Sequence, residues 1–278
     1  MSRGLLDPKV DFVFKNIFGS PNHPEILISF LNATLKPKRK IVNVDIKKTD
    51  IEKQYIEDKY SRLDVKATTS NDEIINIEIQ LKNENNMIKR SLYYLSKMYE
   101  EQLNEKEDYS KLVRTVCINI LNFKYLKTDN FHTGYRFKEI ETNEELTDVM
   151  EVHFIEIPKL KDSNDEKDML VAWTEFLKDP ESEKVRGLEL SIEEIRQAKD
   201  ELIRMSNDST QRQLYDMRAN SLRDKISELN AAERKGIEKG KKEEKMAIAR
   251  NLLDILDNEI IALKTGLTTL DVEKLRRK

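Results

Sequence analysis

The chain is poor in the features that would place it outside the cell or in a membrane. Among its 278 residues there is one cysteine, Cys117. A lone cysteine closes no internal disulfide, so the sequence reads as intracellular, with a cytoplasmic location expected. Its place in the apolar run VCINIL marks the thiol as buried and structural. No apolar run approaches the roughly 20 residues of a membrane-spanning helix, so no membrane partner is expected. Asp7, Asp11 and Lys15 stand near the beginning of the sequence, where a signal peptide would have an apolar stretch. The three histidines, His23, His132 and His153, lack the spacing of metal ligands and receive no role. Charge of one sign is also missing: 49 Lys and Arg face 52 Asp and Glu, for a net charge of -3. A protein that merely coats nucleic acid is usually basic overall. A near-neutral balance still suits an enzyme whose contact surface is locally basic.

Charged residues make up 36% of the chain, yet apolar patterning is regular through the first 160 residues. DFVFKNIF sets Phe14, Ile17 and Phe18 at helical spacing; Pro21 and Pro24 end that helix, and EILISFLNATL begins another. A basic loop follows from Lys36 to Lys40. IVNVDI, SRLDVKA and EIINIEIQL read as strands, and NMIKRSLYYLSKMYEEQL as a long amphipathic helix. VRTVCINILNF has the unbroken apolar character of a strand covered on both faces. Two further strands are expected around Tyr135 to Ile140 and Met150 to Ile157, with Pro158 closing the region. The expected organisation is therefore an α/β domain over residues 1–160 and a mostly helical region over 161–278. In the latter, Gly236 and Gly240 each cost a helix roughly 1 kcal/mol against alanine.

The chemistry is expected in the hairpin RLDVKATTSNDEIINIEIQL. With its turn centred on Asn71, Asp64 stands opposite Glu78. Side chains alternate across a strand. Leu63, Val65, Ala67, Ile75, Ile77, Ile79 and Leu81 then share a core face, while Arg62, Asp64, Lys66, Asn76, Glu78 and Gln80 share the other. Two opposed carboxylates about 5 Å apart repel each other, increasingly as water is excluded. A divalent cation with a taste for oxygen relieves that repulsion: magnesium, manganese or calcium. A solvated charged face, with Arg62 and Lys66 pairing with the acids, is the plain alternative.

Four segments in order, LLDPKVDFVFKNIFG, LISFLNATL, the hairpin with IEIQ, and the helix bearing Arg90, Tyr93 and Tyr94, resemble the Rpn family of recombination-promoting nucleases and transposases. That family lies within the PD-(D/E)XK nuclease superfamily, and the resemblance covers residues 5 to about 160. It implies a PD-(D/E)XK restriction-endonuclease-like core, a mixed sheet flanked by helices, and hydrolysis of DNA phosphodiesters linked to recombination or transposition-like processing. It further implies that Asp64 and Glu78 ligate the metal, Mg2+ first and Mn2+ or Ca2+ next. Gln80 stands where many relatives carry lysine; glutamine supplies no charge and no base at neutral pH, but it orients water or a phosphate oxygen. The resemblance also brings Asp11 to the site as a further acid, with Lys15 near a phosphate. An acid is favourable at a helix N-terminus in any case.

Arg90 and Tyr94, four residues apart, share a helical face and are candidate DNA contacts, with a core tyrosine and a surface charge as the alternative. The Lys36, Lys38, Arg39 and Lys40 run is either a phosphate contact or a solvated loop. Ile248, Leu252, Leu256 and Ile255 form apolar stripes in the tail that need a surface to bury against, and a homodimer through the C-terminal region is expected. ALKTGLTTLDVEKL resembles a short helix-turn-helix with Gly266 at the turn. Two other functions are open: a DNA-binding or regulatory protein on a nuclease scaffold that does not cut, and a protein-interaction module working through its helical tail.

Overall fold

The architecture is that of a computed structural model that describes residues 4–47, 65–162 and 167–277. The helices are α1 (Asp11–Phe18), α2 (Pro24–Leu35), α3 (Met87–Glu100), α4 (Met169–Lys178), α5 (Glu183–Glu189), α6 (Glu193–Asn207), α7 (Ser209–Leu252), α8 (Asn258–Thr265) and α9 (Thr269–Arg276). The strands are β1 (Val44–Lys47), β2 (Val65–Thr69), β3 (Ile74–Gln80), β4 (Thr115–Leu121), β5 (His132–Lys138) and β6 (Glu145–Glu156). They form one mixed sheet in the order β1-β2-β3-β4-β6-β5. The β3-β4 and β4-β6 pairs are parallel, and the other three are antiparallel. Strand β5 begins at His132 and β6 at Glu145, both earlier than the sequence pattern suggests: His132 to Gly134 pair with the apolar end of β6, and Glu145 and Thr147 pair with Lys138 and Phe137. The α/β class and the mixed sheet between helices are as expected.

Local sequence explains the elements that matter most. Val13, Phe14, Ile17 and Phe18 recur at helical spacing and are all buried, so α1 docks by one stripe. Pro24 opens α2, where its missing N–H is no loss, and Lys36 closes it in the left-handed region at φ 45°. The β2-β3 turn is centred on Asn71: Thr69 and Glu73 are joined by a backbone hydrogen bond of 3.0 Å, and Asp72 takes φ 60°, which aspartate tolerates.

The sheet is covered on both faces. Ile75, Ile77 and Ile79 of β3 and Val116, Ile118 and Ile120 of β4 share a core with α1, α2, α4 and α6. On the opposite face α3 packs against β4 and β6, where Met87 and Leu95 meet Cys117, Leu121, Val152 and Phe154. Cys117 is fully buried, and that burial, followed by the nearby Glu78 charge, pushes its thiol up to about 12.

The chain divides into two compact units, Met1–Ala219 and Asn220–Lys278. The boundary expected at residue 160 falls inside the first. Helices α4 to α6 do not stand apart: Trp173, Phe176, Leu202 and Met205 are buried in the same cluster as Phe14 and Phe18. Phe18 meets Trp173 edge to face at 5.3 Å, and Leu6 N–H donates to Ser206 Oγ across 200 positions of sequence. In the second unit, Ala249, Ile261, Ala262, Val272 and Leu275 form a small cluster of their own. Gly266 ends α8 at φ 66° and Thr268 caps α9, the turn geometry expected of this segment. Ile248 and Ile255 of the expected stripe are exposed.

A buried ion network closes the end of the sheet where β4 starts. Glu151 accepts from Arg114 at 2.7 Å, from Arg136 and from His153. Burial alone would raise its carboxyl, but those donors outweigh it and hold it at about 2. A depressed carboxylate adds stability that is complete above its ordinary value of 4.5 and is lost as pH falls toward 2. Glu151→Gln is expected to cost about 3 kcal/mol at neutral pH. Denaturant titrations at stepwise lower pH should show the gap from wild type closing through that window. Trp173→Ala, which opens the shared core beneath α1, is expected to cost about 3–5 kcal/mol in the same measurement.

Candidate active site

Strand β3 brings its polar residues to the α3 face. Its register with β2 runs from Val65↔Ile77 to Thr68↔Ile74, so Lys66 stands opposite Asn76. On the other side Glu78 stands beside Asn119 of β4. Asp64, the expected partner of Glu78, lies outside the described residues, as do Arg62 and Leu63.

Glu78 is 1% exposed. It accepts from Arg90 Nε at 3.3 Å and from Asn76 Nδ2 at 3.4 Å. Burial pushes its carboxyl above the ordinary value, against the opposing pull of the Arg90 charge and of these two hydrogen bonds. Arg90 comes from the first turns of α3, and its guanidinium lies 5.2 Å from the centre of the Tyr94 ring. The i, i+4 spacing thus works within the site: Tyr94, 7% exposed, is a core residue that carries Arg90, while Tyr93 is the exposed member of the pair. Gln80, two residues beyond Glu78 and on the same face, is half-buried.

Beneath this group runs a polar layer that sequence patterning did not single out. Ser91 Oγ donates to Asn119 Oδ1 at 2.8 Å, and Asn119 Nδ2 donates to the His153 carbonyl at 3.1 Å. The available signal was an asparagine set inside the apolar run CINIL. Asn76 is fully buried, and its Oδ1 has no hydrogen-bond partner. The oxygen donors of Glu78, Asn76 and Gln80 fit a hard divalent cation. Among the described residues, however, no three His, Cys, Asp or Glu side chains gather as metal ligands.

Asp11 and Lys15 share one helix. They belong to α1, whose buried stripe packs in the core with the β3 isoleucines, the face opposite Glu78. Asp11 pairs with Arg218 at 3.1 Å, and Arg218 also lies over the Phe12 ring at 5.7 Å. In the basic loop Lys36 pairs with Asp168 at 3.1 Å, and Lys38, Arg39 and Lys40 are exposed. The histidines are not all isolated: His132 and His153 stack, with Nε2 and Nδ1 2.9 Å apart. Gly134 permits this, since a Cβ there would come within 3.0 Å of the His153 ring.

The fold and the acid-bearing strand are those of a PD-(D/E)XK-type nuclease core. The family described as PD-(D/E)XK nuclease family transposase matches residues 8–232, and the chain belongs to that family. No curated protein and no solved structure matches it. Membership supports a nuclease or transposase-like role, and nucleases of this kind generally use divalent metals and act on DNA.

A raised carboxylate pKa means that ionising Glu78 costs folding free energy. That cost is absent below the unfolded value and grows as pH rises through the folded one. Glu78→Gln is therefore expected to be at least as stable as wild type at neutral pH in a chelator. The difference should vanish as pH falls to the ordinary carboxylate range, as thermal melts across pH would show.

Proposed function

We propose that the protein is a metal-dependent DNA endonuclease, acting in the cytoplasm on DNA in recombination or transposition-like processing. The observation that carries this reading is Glu78, a carboxylate buried on the polar face of β3 and held between Asn76 and Arg90. A buried acid that costs stability is a mark of function more than of folding. Glu78 and Asp64 are the metal ligands in this proposal, with Mg2+ the first choice and Mn2+ or Ca2+ the others. Bound there, a divalent cation would activate water and offset charge on the phosphodiester. Gln80 orients that water or a phosphate oxygen by hydrogen bonding, and Arg90 supplies positive charge to the backbone. Asp11, paired with Arg218, is proposed as a further acid, Lys15 as a phosphate contact, and Tyr94, beside Arg90, as part of the DNA contact. A dimer formed through the C-terminal region would set one site on each strand of a duplex.

One observation favours a second reading. Gln80 supplies neither charge nor a base at neutral pH, and a scaffold that binds DNA without cutting it would suit such a residue, although glutamine is the usual residue of the Rpn group that the chain resembles. Plasmid incubated with Mg2+, Mn2+ and Ca2+ in turn separates the two readings. Nicking that disappears in Glu78→Ala and Asp64→Ala, both still folded, supports the endonuclease. Wild-type rates in Glu78→Ala overturn the site assignment. At position 80, Gln80→Lys is expected to keep measurable cleavage and Gln80→Leu to lose most of it, roughly 10²-fold or more for a lost positioning hydrogen bond. Equal rates for wild type and the leucine variant would remove Gln80 from the mechanism.

A further inference from the structure

Glu78 already has a cation beside it. Arg90 Nε approaches Oε2 at 3.3 Å, longer than the roughly 2.7–2.9 Å of a tight charge-assisted bond. The Arg90 side chain is 27% exposed while Glu78 is closed off at 1%, so of the two partners it is Arg90 that reaches water. The guanidinium carbon also lies 5.2 Å from the centre of the buried Tyr94 ring, a surface that holds a guanidinium without fixing its hydrogen bonds. A divalent ion on the same carboxylate would meet a like charge at contact distance, a repulsion of several kcal/mol in a partly buried site.

We propose that Arg90 is an exchangeable counter-ion: it leaves Glu78 when a divalent cation binds there, and the released guanidinium takes a DNA phosphate. The inference rests on the nuclease reading and adds to it a coupling between two ligands. Metal and DNA then bind cooperatively, through one side chain that cannot serve both partners at once. Coupling of this kind is reciprocal, so DNA must tighten metal by the factor with which metal tightens DNA. Asn76 stays behind on Glu78 during the exchange and keeps one carboxylate oxygen oriented.

Two titrations of the full chain test this. In the first, Mn2+ is titrated calorimetrically with and without a short duplex, the duplex being checked on a gel afterwards. Wild type should bind Mn2+ about fivefold or more tightly with the duplex present. Arg90→Gln should bind Mn2+ more tightly than wild type in the absence of DNA, and the duplex should change this by less than about twofold. In the second, duplex binding is measured in chelator alone, so no metal is involved. Glu78→Gln should bind DNA more tightly than wild type because Arg90 is free, and the double variant with Arg90→Gln should lose that gain. An Arg90→Gln protein that matches wild type in both Mn2+ titrations, or a double variant that keeps the full gain, overturns the exchange. If wild type nicks plasmid in either case, the nuclease reading survives that result. A wild type that binds no Mn2+ and cuts nothing removes both.

Discussion

Strand β3 is buried on both faces, and this constraint governs the rest of the fold. Its side chains alternate strictly, with Ile75, Ile77 and Ile79 toward one helical layer and Asn76, Glu78 and Gln80 toward α3. A slip of one residue would exchange the two sets, placing a carboxylate among the phenylalanines and isoleucines of the α1 and α2 layer. The strand is pinned on both edges, antiparallel to β2 and parallel to β4, so the slip would have to break two ladders at once.

The same constraint explains the company Glu78 keeps. A carboxylate that enters a covered face needs donors, from its own strand or from the elements that cover it. Asn76 provides one from the same strand and Arg90 another from α3. The asparagine of β4 beside it is tied to α3 through Ser91 and to β6 through a carbonyl. Polar contacts therefore link three neighbouring strands and the covering helix at the level of the acid. An unpartnered oxygen, Asn76 Oδ1, remains in this otherwise satisfied layer.

Much of this is legible in the sequence, and the reasons are local. Two-residue alternation in IINIEIQ gives the face of Glu78, polar turn residues give the hairpin centre at Asn71, and the unbroken apolar run around Cys117 gives a covered strand. What was hidden depends on pairing between distant segments. Amphipathic spacing in α4 and α6 says that a stripe is buried but not against what, so their union with α1 is not legible in the sequence. Arg218 reaching Asp11 and His132 meeting His153 are set by tertiary packing and strand register, which no short window contains. Tyr94 shows the limit from the other side: its four-residue spacing to Arg90 gives a shared helical face but not how deeply each side chain is buried.

The layer that seals α1 and α2 is encoded late. Trp173, Leu202 and Met205 follow the last sheet strand, while the phenylalanines they cover lie near the beginning of the sequence. During synthesis the whole sheet leaves the ribosome with its helical face still wet, and closure waits for α6. A chain cut short before that point shows water Phe14, Phe18 and Phe30, the kind of apolar surface that chaperones and proteases recognise. Fragments of the protein thus carry their own mark for removal, and the strand that bears Glu78 is sealed in only in chains that have been translated well past it.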